Sequence, residues 1–376
     1  MRDGRINVWI KAVVLGLLAL SLGTVATARL AAQEPSPLEV VALLEQAPGN
    51  VAVTAGGRII VSQHQFYDPV YRVVEVMGDG STQPFPNEAW ASAPGPDGRG
   101  MVAVLGIRAD PAGIVWMLDN GSKPPRLIGW DLNGDRLAKI IPIPPPAAVE
   151  TSFLNDFALD TVNGAAYIAD FGAGPRGGAI VVVDLATGES RRVLAGHPLT
   201  SAEDVRMVID GRPVRMRGAD GQVFEPQIAI DPITIDALSE WVYFGAMHGT
   251  SLYRVRAVDL LDGSLSDEAL AKRVERFGAK PISDGISMDG AGNVYVTDVQ
   301  ASGIGVTRPD GQYQLLFSDK ERLKWPDGIA AGPDNNMYVT VNKLNLSAKL
   351  NAGVNESEPL YFLVRFPALA PTVVGR

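Results

Sequence analysis

Residues 284–298 read DGISMDGAGNVYVTD: two apolar strands around a glycine turn, the second ending on an acid. The first strand starts at Asp284-Gly285-Ile286, the turn runs from Asp289 to Gly292, and Val294-Tyr295-Val296-Thr297-Asp298 returns, as a hairpin requires. Two more strands follow around Asp310-Gly311. Working outward, the spacing from turn glycine to aromatic to strand-end acid recurs at Gly113, Trp116 and Asp119, and at Gly164, Tyr167 and Asp170. Looser copies run from Asn50 through Gly57 to Gln63, from Gln227 through Asp231 to Tyr243, and from Asp327 through Asn336 to Tyr338.

A unit of this size repeated along a chain is the signature of a propeller. The expected fold is therefore all-β, a six-bladed β-propeller with four-stranded antiparallel blades, spanning residues 38–370. A β-sandwich also uses Asp-Gly and Asn-Gly turns, but it does not repeat one four-strand unit with an acid at a fixed offset. Second hairpins lie at Tyr71–Met77, Leu127–Ile141, Ala179–Leu194, Leu252–Val258, Ile304–Phe317 and Leu360–Phe366. The last repeat lacks a fourth strand. Pro37–Leu44, apolar and otherwise unassigned, is expected to pair outside Leu360–Phe366 and close the ring, which removes exposed sheet edges. No long helix is expected; the best candidate, Ser266–Arg276, lies in a connection.

The chain has 376 residues, a net charge of −9 and no cysteine. A nucleic-acid partner is not expected, because no Lys/Arg cluster is present to displace counterions from phosphates. Disulfides, thiolate nucleophiles and thiolate metal sites are excluded. Arg2 and Arg5 precede an apolar run, Ala12 to Ala28, that ends in Ala26-Thr27-Ala28. This reads as a signal peptide over 1–28 followed by a tether over 29–37. The mature protein is expected to be secreted or periplasmic, monomeric and not inserted in a membrane.

In a propeller the starts of the innermost strands share one face with the ends of their neighbours. Aligning the repeats by their turns puts Gly49, Leu105, Asn155, Pro226, Asp284 and Asp327 at the inner-strand starts. The strand ends on the same face are Gln63, Asp119, Asp170, Ala246, Asp298 and Val341. Asp119, Asp170 and Asp298 are expected to hold turns by accepting backbone N–H bonds. Asn155, Asp156, Asp284 and Asp327 are expected to converge on the axis, where neighbouring like charges raise carboxylate pKa values. Asp284, Asp327 and His64 are the candidate proton carriers. Asn155, Asp156, Asn120, His248 and Asn342 are the candidate ligand contacts. Two long connections, 196–225 and 343–359, could cover this rim. No nucleophile elbow, phosphate loop or zinc spacing appears, and Gly172–Gly178 precedes a strand instead of a helix, so it is no dinucleotide loop.

Several segments resemble, in order, the blocks of the yellow/major royal jelly protein family. They are Pro84-Phe85-Pro86-Asn87, Trp90, Trp116-Met117-Leu118-Asp119-Asn120-Gly121, Ser152-Phe153-Leu154-Asn155-Asp156, Ala166-Tyr167-Ile168-Ala169-Asp170, Ser283-Asp284-Gly285 and Val341-Asn342-Lys343-Leu344. The resemblance implies a secreted six-bladed propeller. Among its members it also implies dopachrome tautomerase activity, biogenic-amine binding or a nutritive role; lacking the cysteines of animal relatives, this chain resembles the bacterial members. A second, distant resemblance is to gluconolactonase and regucalcin-like propellers, which implies a divalent cation held by a Glu, an Asn and an Asp. Asp284 matches that set, Gly49 and Pro226 fall on the other two positions unless the register is off by one, which puts Asn50 and Gln227 there, and Asn155 matches a substrate-contacting Asn. The expected ligand is therefore organic, without a cofactor, and any Ca²⁺ binding is expected to be weak. The functional expectation is binding, and tautomerase-like isomerisation, of a small cyclic or aromatic molecule. The alternatives are a non-catalytic amine-binding protein and a Ca²⁺-dependent lactonase.

Overall fold

The computed structural model describes residues 37–376, a compact unit from Pro37 to Arg376. The expected signal peptide and most of the tether lie outside the described residues. Among the described residues no helix is long and apolar enough to cross a membrane.

Six four-stranded antiparallel sheets form the blades. Their innermost strands are Pro48–Val53, Val104–Ala109, Leu154–Asp160, Ile230–Ile235, Ser283–Met288 and Pro326–Ala331. Each packs on the next, and the sixth packs on the first, so the ring is closed. Almost every residue of these strands is buried, because they meet neighbouring blades on both sides. The apolar cores sit between adjacent blades: Phe157, Ile168 and Val181 pack with Leu118, Leu127 and Ile141, for example.

The turn acid of each repeat has a structural reason. In four blades it accepts a hydrogen bond from the aromatic of the following strand: Trp116 Nε1 to Asp110 at 3.3 Å, Tyr167 Oη to Asp160 at 3.0 Å, Tyr295 Oη to Asp289 at 2.9 Å and Tyr338 Oη to Asp334 at 2.9 Å. The buried aromatic thus keeps its polar atom paired.

Glu39–Leu44 pairs antiparallel with Tyr361–Pro367, completing the sixth blade with the start of the chain as the sequence implies. Arg365 anchors this seam with two bonds to Glu39, at 3.0 and 2.8 Å. Two features differ from expectation. The 257–271 region forms two short helices, Ala257–Leu261 and Asp267–Ala271, the second capped by Ser266. The fourth inner strand starts at Ile230 instead of Pro226, which changes the site described next.

The far end of the channel is crossed by residues 368–376. Gly290 N donates to the Pro371 carbonyl and Leu369 N to Tyr295 Oη. Arg376, buried, donates to the carbonyls of Asp236 and Leu159.

Candidate functional site

Each inner strand pairs its first residue with the strand end beside it, then skips register by one through a bulge. The residue after that first pair is Gly49, Leu105, Asn155, Asp231, Asp284 or Asp327. Blade four therefore contributes Asp231, not Pro226. The sequence alignment failed there because the long connection before the blade disguises where the strand begins. The strand ends were placed correctly: Gln63, Asp119, Asp170, Ala246, Asp298 and Val341 are the six partners.

The bulge turns the next residue towards the axis as well. That step holds Asn50, Gly106, Asp156, Pro232, Gly285 and Gly328. A Cβ at Gly106 would collide with the Asn155 carbonyl, one at Gly285 with the Asp327 carbonyl, and one at Gly328 with Asn50 Cα at 2.5 Å. Close approach of adjacent inner strands thus requires glycine in three blades. Only blades one and three carry a functional group at this step, and Asn50 Nδ2 donates to Asp156 Oδ1 at 2.6 Å. Beneath them Arg108, fully buried, donates to Asn50 Oδ1 at 3.2 Å and lies 4.0 Å from Asp156.

Four carboxylates, Asp156, Asp231, Asp284 and Asp327, consequently form the floor of one cavity. Each has one oxygen held by a neutral N–H donor: Asn50 on Asp156, Asn155 on Asp231, Trp325 Nε1 on Asp284 at 2.5 Å, and Asn342 on Asp327. The second oxygen of Asp231, Asp284 and Asp327 has no hydrogen-bond partner among the described residues and is open to the cavity. Burial raises all four carboxyl pKa values, and repulsion between the acids adds to this for Asp231, Asp284 and Asp327. Asp284 is pushed up to about 7 although the Trp325 bond opposes the shift.

Above the floor the cavity holds about 450 Å³, within the range of small-molecule sites. Its walls are Phe66, Trp325 and the stacked pair Phe153–Phe171, whose centroids are 4.3 Å apart. Met216, Leu344 and Leu350 form the roof, and they come from the two long connections. Those connections bind each other: Arg215 N donates to the Leu350 carbonyl at 3.1 Å, Ala352 N to the Arg215 carbonyl at 2.8 Å, and Arg212 pairs with Glu356 at 3.1 Å.

Of the residues singled out in the sequence, Asn155, Asp156, Asp284, Asp327 and His64 line this cavity. His64 Nδ1 accepts from Phe66 N at 3.2 Å, which leaves Nε2 as its hydrogen-bearing nitrogen. Burial lowers its pKa to about 3, so near neutral pH it is a donor and not a base. Asn120, His248 and Asn342 do not line the cavity. Asn120 donates to the Leu154 carbonyl at 3.0 Å, and His248 Nδ1 accepts from Ile228 N at 3.0 Å. Asn342 stands behind Asp327 and also holds the Pro48 carbonyl at 3.1 Å. Asp119 and Asp170 hold turns and pair with Arg126 and Arg192. Asp298 accepts from Ala301 N at 3.0 Å and from Tyr313 Oη at 2.9 Å.

The lactonase resemblance implies a divalent cation, and Asp231 supplies an oxygen where Pro226 could not. Among the described residues no group of three or more His, Asp or Glu side chains is placed to hold a metal ion; the implied set also draws on an Asn, and Asn50 and Asn155 line the cavity.

Comparison with known proteins agrees with the fold. At 14% identity the structure is similar to a luciferin-regenerating enzyme, with a TM-score of 0.53 over 90% of this chain and 97% of that one. At 12% identity it is similar to a gluconolactonase from Xanthomonas campestris, with a TM-score of 0.52 over 88% and 89%. Such identities speak to the fold alone. By sequence it is 32% identical over 126 residues to major royal jelly protein 6 of Apis mellifera, covering 29% of this chain and 28% of that protein. It is 27% identical over 199 residues to major royal jelly protein 7 of the same organism, covering 49% and 41%. The chain thus spans less than half the length of these curated relatives. The family model described as major royal jelly protein matches residues 102–361, well over half of the sequence, and the chain belongs to that family.

Proposed function

We propose that this protein binds a small organic cation, a primary ammonium on a ring or compact hydrocarbon body, in the mouth of its channel. The observation that carries this reading is the pairing of the floor. Four buried carboxylates are held by four neutral donors; Arg108 faces only Asp156, and buried Lys280, its ammonium held by the Gly249 and Pro281 carbonyls and Ser283 Oγ, makes no ion pair with Asp231 and acts on it from a distance. Buried carboxylates without cationic partners stay protonated or take up a cation. The free oxygens call for N–H donors, and the aromatic walls suit a ring and add attraction for positive charge. Calorimetric titration with benzylamine tests it: saturable binding is expected in the parent and a loss of at least about tenfold in Asp284→Asn and Asp231→Asn, which keep size and remove charge. Absence of binding in the parent, or unchanged affinity in folded variants, would sink the reading.

A second reading is favoured by the Asp284 carboxyl, pushed up to about 7, where one group both gives and takes a proton near neutral pH. In it Asp284, with Asp327, shuttles a proton on a bound cyclic substrate in a tautomerase-like isomerisation. Dopachrome decay that is equal with the parent and with Asp284→Asn would rule it out. We further propose export, on the basic start and small-residue end of the first 28 residues. A secreted or periplasmic form of unshortened mass would count against cleavage.

A further inference from the structure

Among the cavity's lining side chains one cation stands out. Lys349, on the connection inside blade six, lines the cavity beside the roof residues Leu344 and Leu350. Its Nζ lies 5.8 Å from the centroid of the Phe66 ring, and among the described residues it has no ion pair or hydrogen bond. The floor carboxylates are held instead by Asn50, Asn155, Trp325 and Asn342, none of which is Lys349. Asp231, Asp284 and Asp327 have no ion pair among the described residues, and Lys349 makes none with them. The cavity is therefore two-ended, with carboxyl groups at the inner-strand starts, the exposed Lys349 on the covering connection and an apolar belt between.

Resting on the cation-binding reading, we infer that the ligand is a zwitterion with its ammonium and its carboxylate at opposite ends of a ring or short chain. The ammonium meets a free carboxyl oxygen of the floor, Asp284 or its neighbours Asp231 and Asp327. The body lies along Phe153 and Phe171, and the carboxylate pairs with Lys349. An α-amino acid carries both charged groups on one carbon, so its carboxylate stands beside the ammonium instead of across the body.

Three probes separate the possibilities in calorimetric titrations of the full chain. Benzylamine has the ammonium alone, para-(aminomethyl)benzoate adds a carboxylate across the ring, and phenylglycine is its isomer with the carboxylate beside the ammonium. The expected result is para-(aminomethyl)benzoate tighter than benzylamine by about fivefold, as a partly screened ion pair gives, with phenylglycine gaining nothing. In Lys349→Met the ratio between the first two should fall to about one, and Lys349→Arg should restore most of it. Equal affinities in the parent, or a ratio that survives Lys349→Met, overturn the zwitterion and leave amine binding standing. If benzylamine and para-(aminomethyl)benzoate both fail to bind, both readings fall.

Discussion

Asn50 and Asp156 meet at 2.6 Å although they are 106 positions apart and belong to blades one and three. The blade between them has only Gly106 at that step, so nothing intervenes, and the contact spans a third of the ring.

Gly106→Ala is predicted to strain the ring. The added methyl collides with the Asn155 carbonyl and comes within 3.0 Å of the Phe157 ring. Overpacking of this kind costs about 1–3 kcal/mol. Gly78→Ala, with open space around its Cβ and no positive φ, is the control, expected to stay within about 0.5 kcal/mol. Paired denaturant titrations with unchanged m-values check it.

Amine affinity should rise with pH. The folded carboxyl of Asp284 holds its proton up to about 7, and an ammonium binds only once that proton leaves. Binding therefore weakens as pH falls below 7, by at most about tenfold per unit for one released proton, and levels off above it. Asp231 and Asp327, also raised by burial, add to the same trend. Titration in buffers of different ionisation enthalpy should reveal the released proton, and the step near pH 7 should vanish in Asp284→Asn.

Trp325→Phe should lower affinity at neutral pH without emptying the site. The ring remains, but Asp284 loses the indole N–H that favours its charged form. Its pKa then rises further, and raising the pH should recover much of the lost affinity. A variant whose pH profile matches the parent would show that the indole N–H does not tune the acid.

Removing Glu39–Leu44 should destabilise the whole propeller. The deletion exposes the backbone of Tyr361–Pro367 as a new edge and takes Ala42 and Leu44 out of the core shared with blade one, uncovering Leu363 and Val74. The expected outcome is aggregation or a midpoint far below that of the parent, read by thermal unfolding.

The repeat was legible because its hairpins are local: glycine, aromatic and acid are fixed by one turn, as at Gly292, Tyr295 and Asp298. Blade four hid its start because Pro232 stands where three other blades have glycine. Register still held the answer. Subtracting each site residue from its strand end gives 14 for Gly49 and Gln63, 14 for Leu105 and Asp119, 15 for Asn155 and Asp170, and 14 for Asp284 and Asp298. From Ala246 to Pro226 it is 20, whereas to Asp231 it is 15. Arg108 also left a sign, a lone charge within the apolar run VLGIRA. Met216 was legible as an apolar residue of a long connection suited to an amphipathic ligand, whereas Trp325 and Lys349 left no sign, since their place over the floor depends on how distant connections fold back.

The seam closed by Glu39–Leu44 also has a mechanical side. Glu39, where the first strand enters, lies opposite Arg365, near where the last strand leaves. A force drawing these two chain ends apart would act on one end of the paired strands, parting their bonds in sequence instead of shearing all together. Peeling would begin at the twofold Arg365–Glu39 contact. Once residues 368–376 have let go of Gly290, Tyr295 and Asp236, the ring would unzip from this seam, and the first element of the sheet to yield under tension would be that one ion pair.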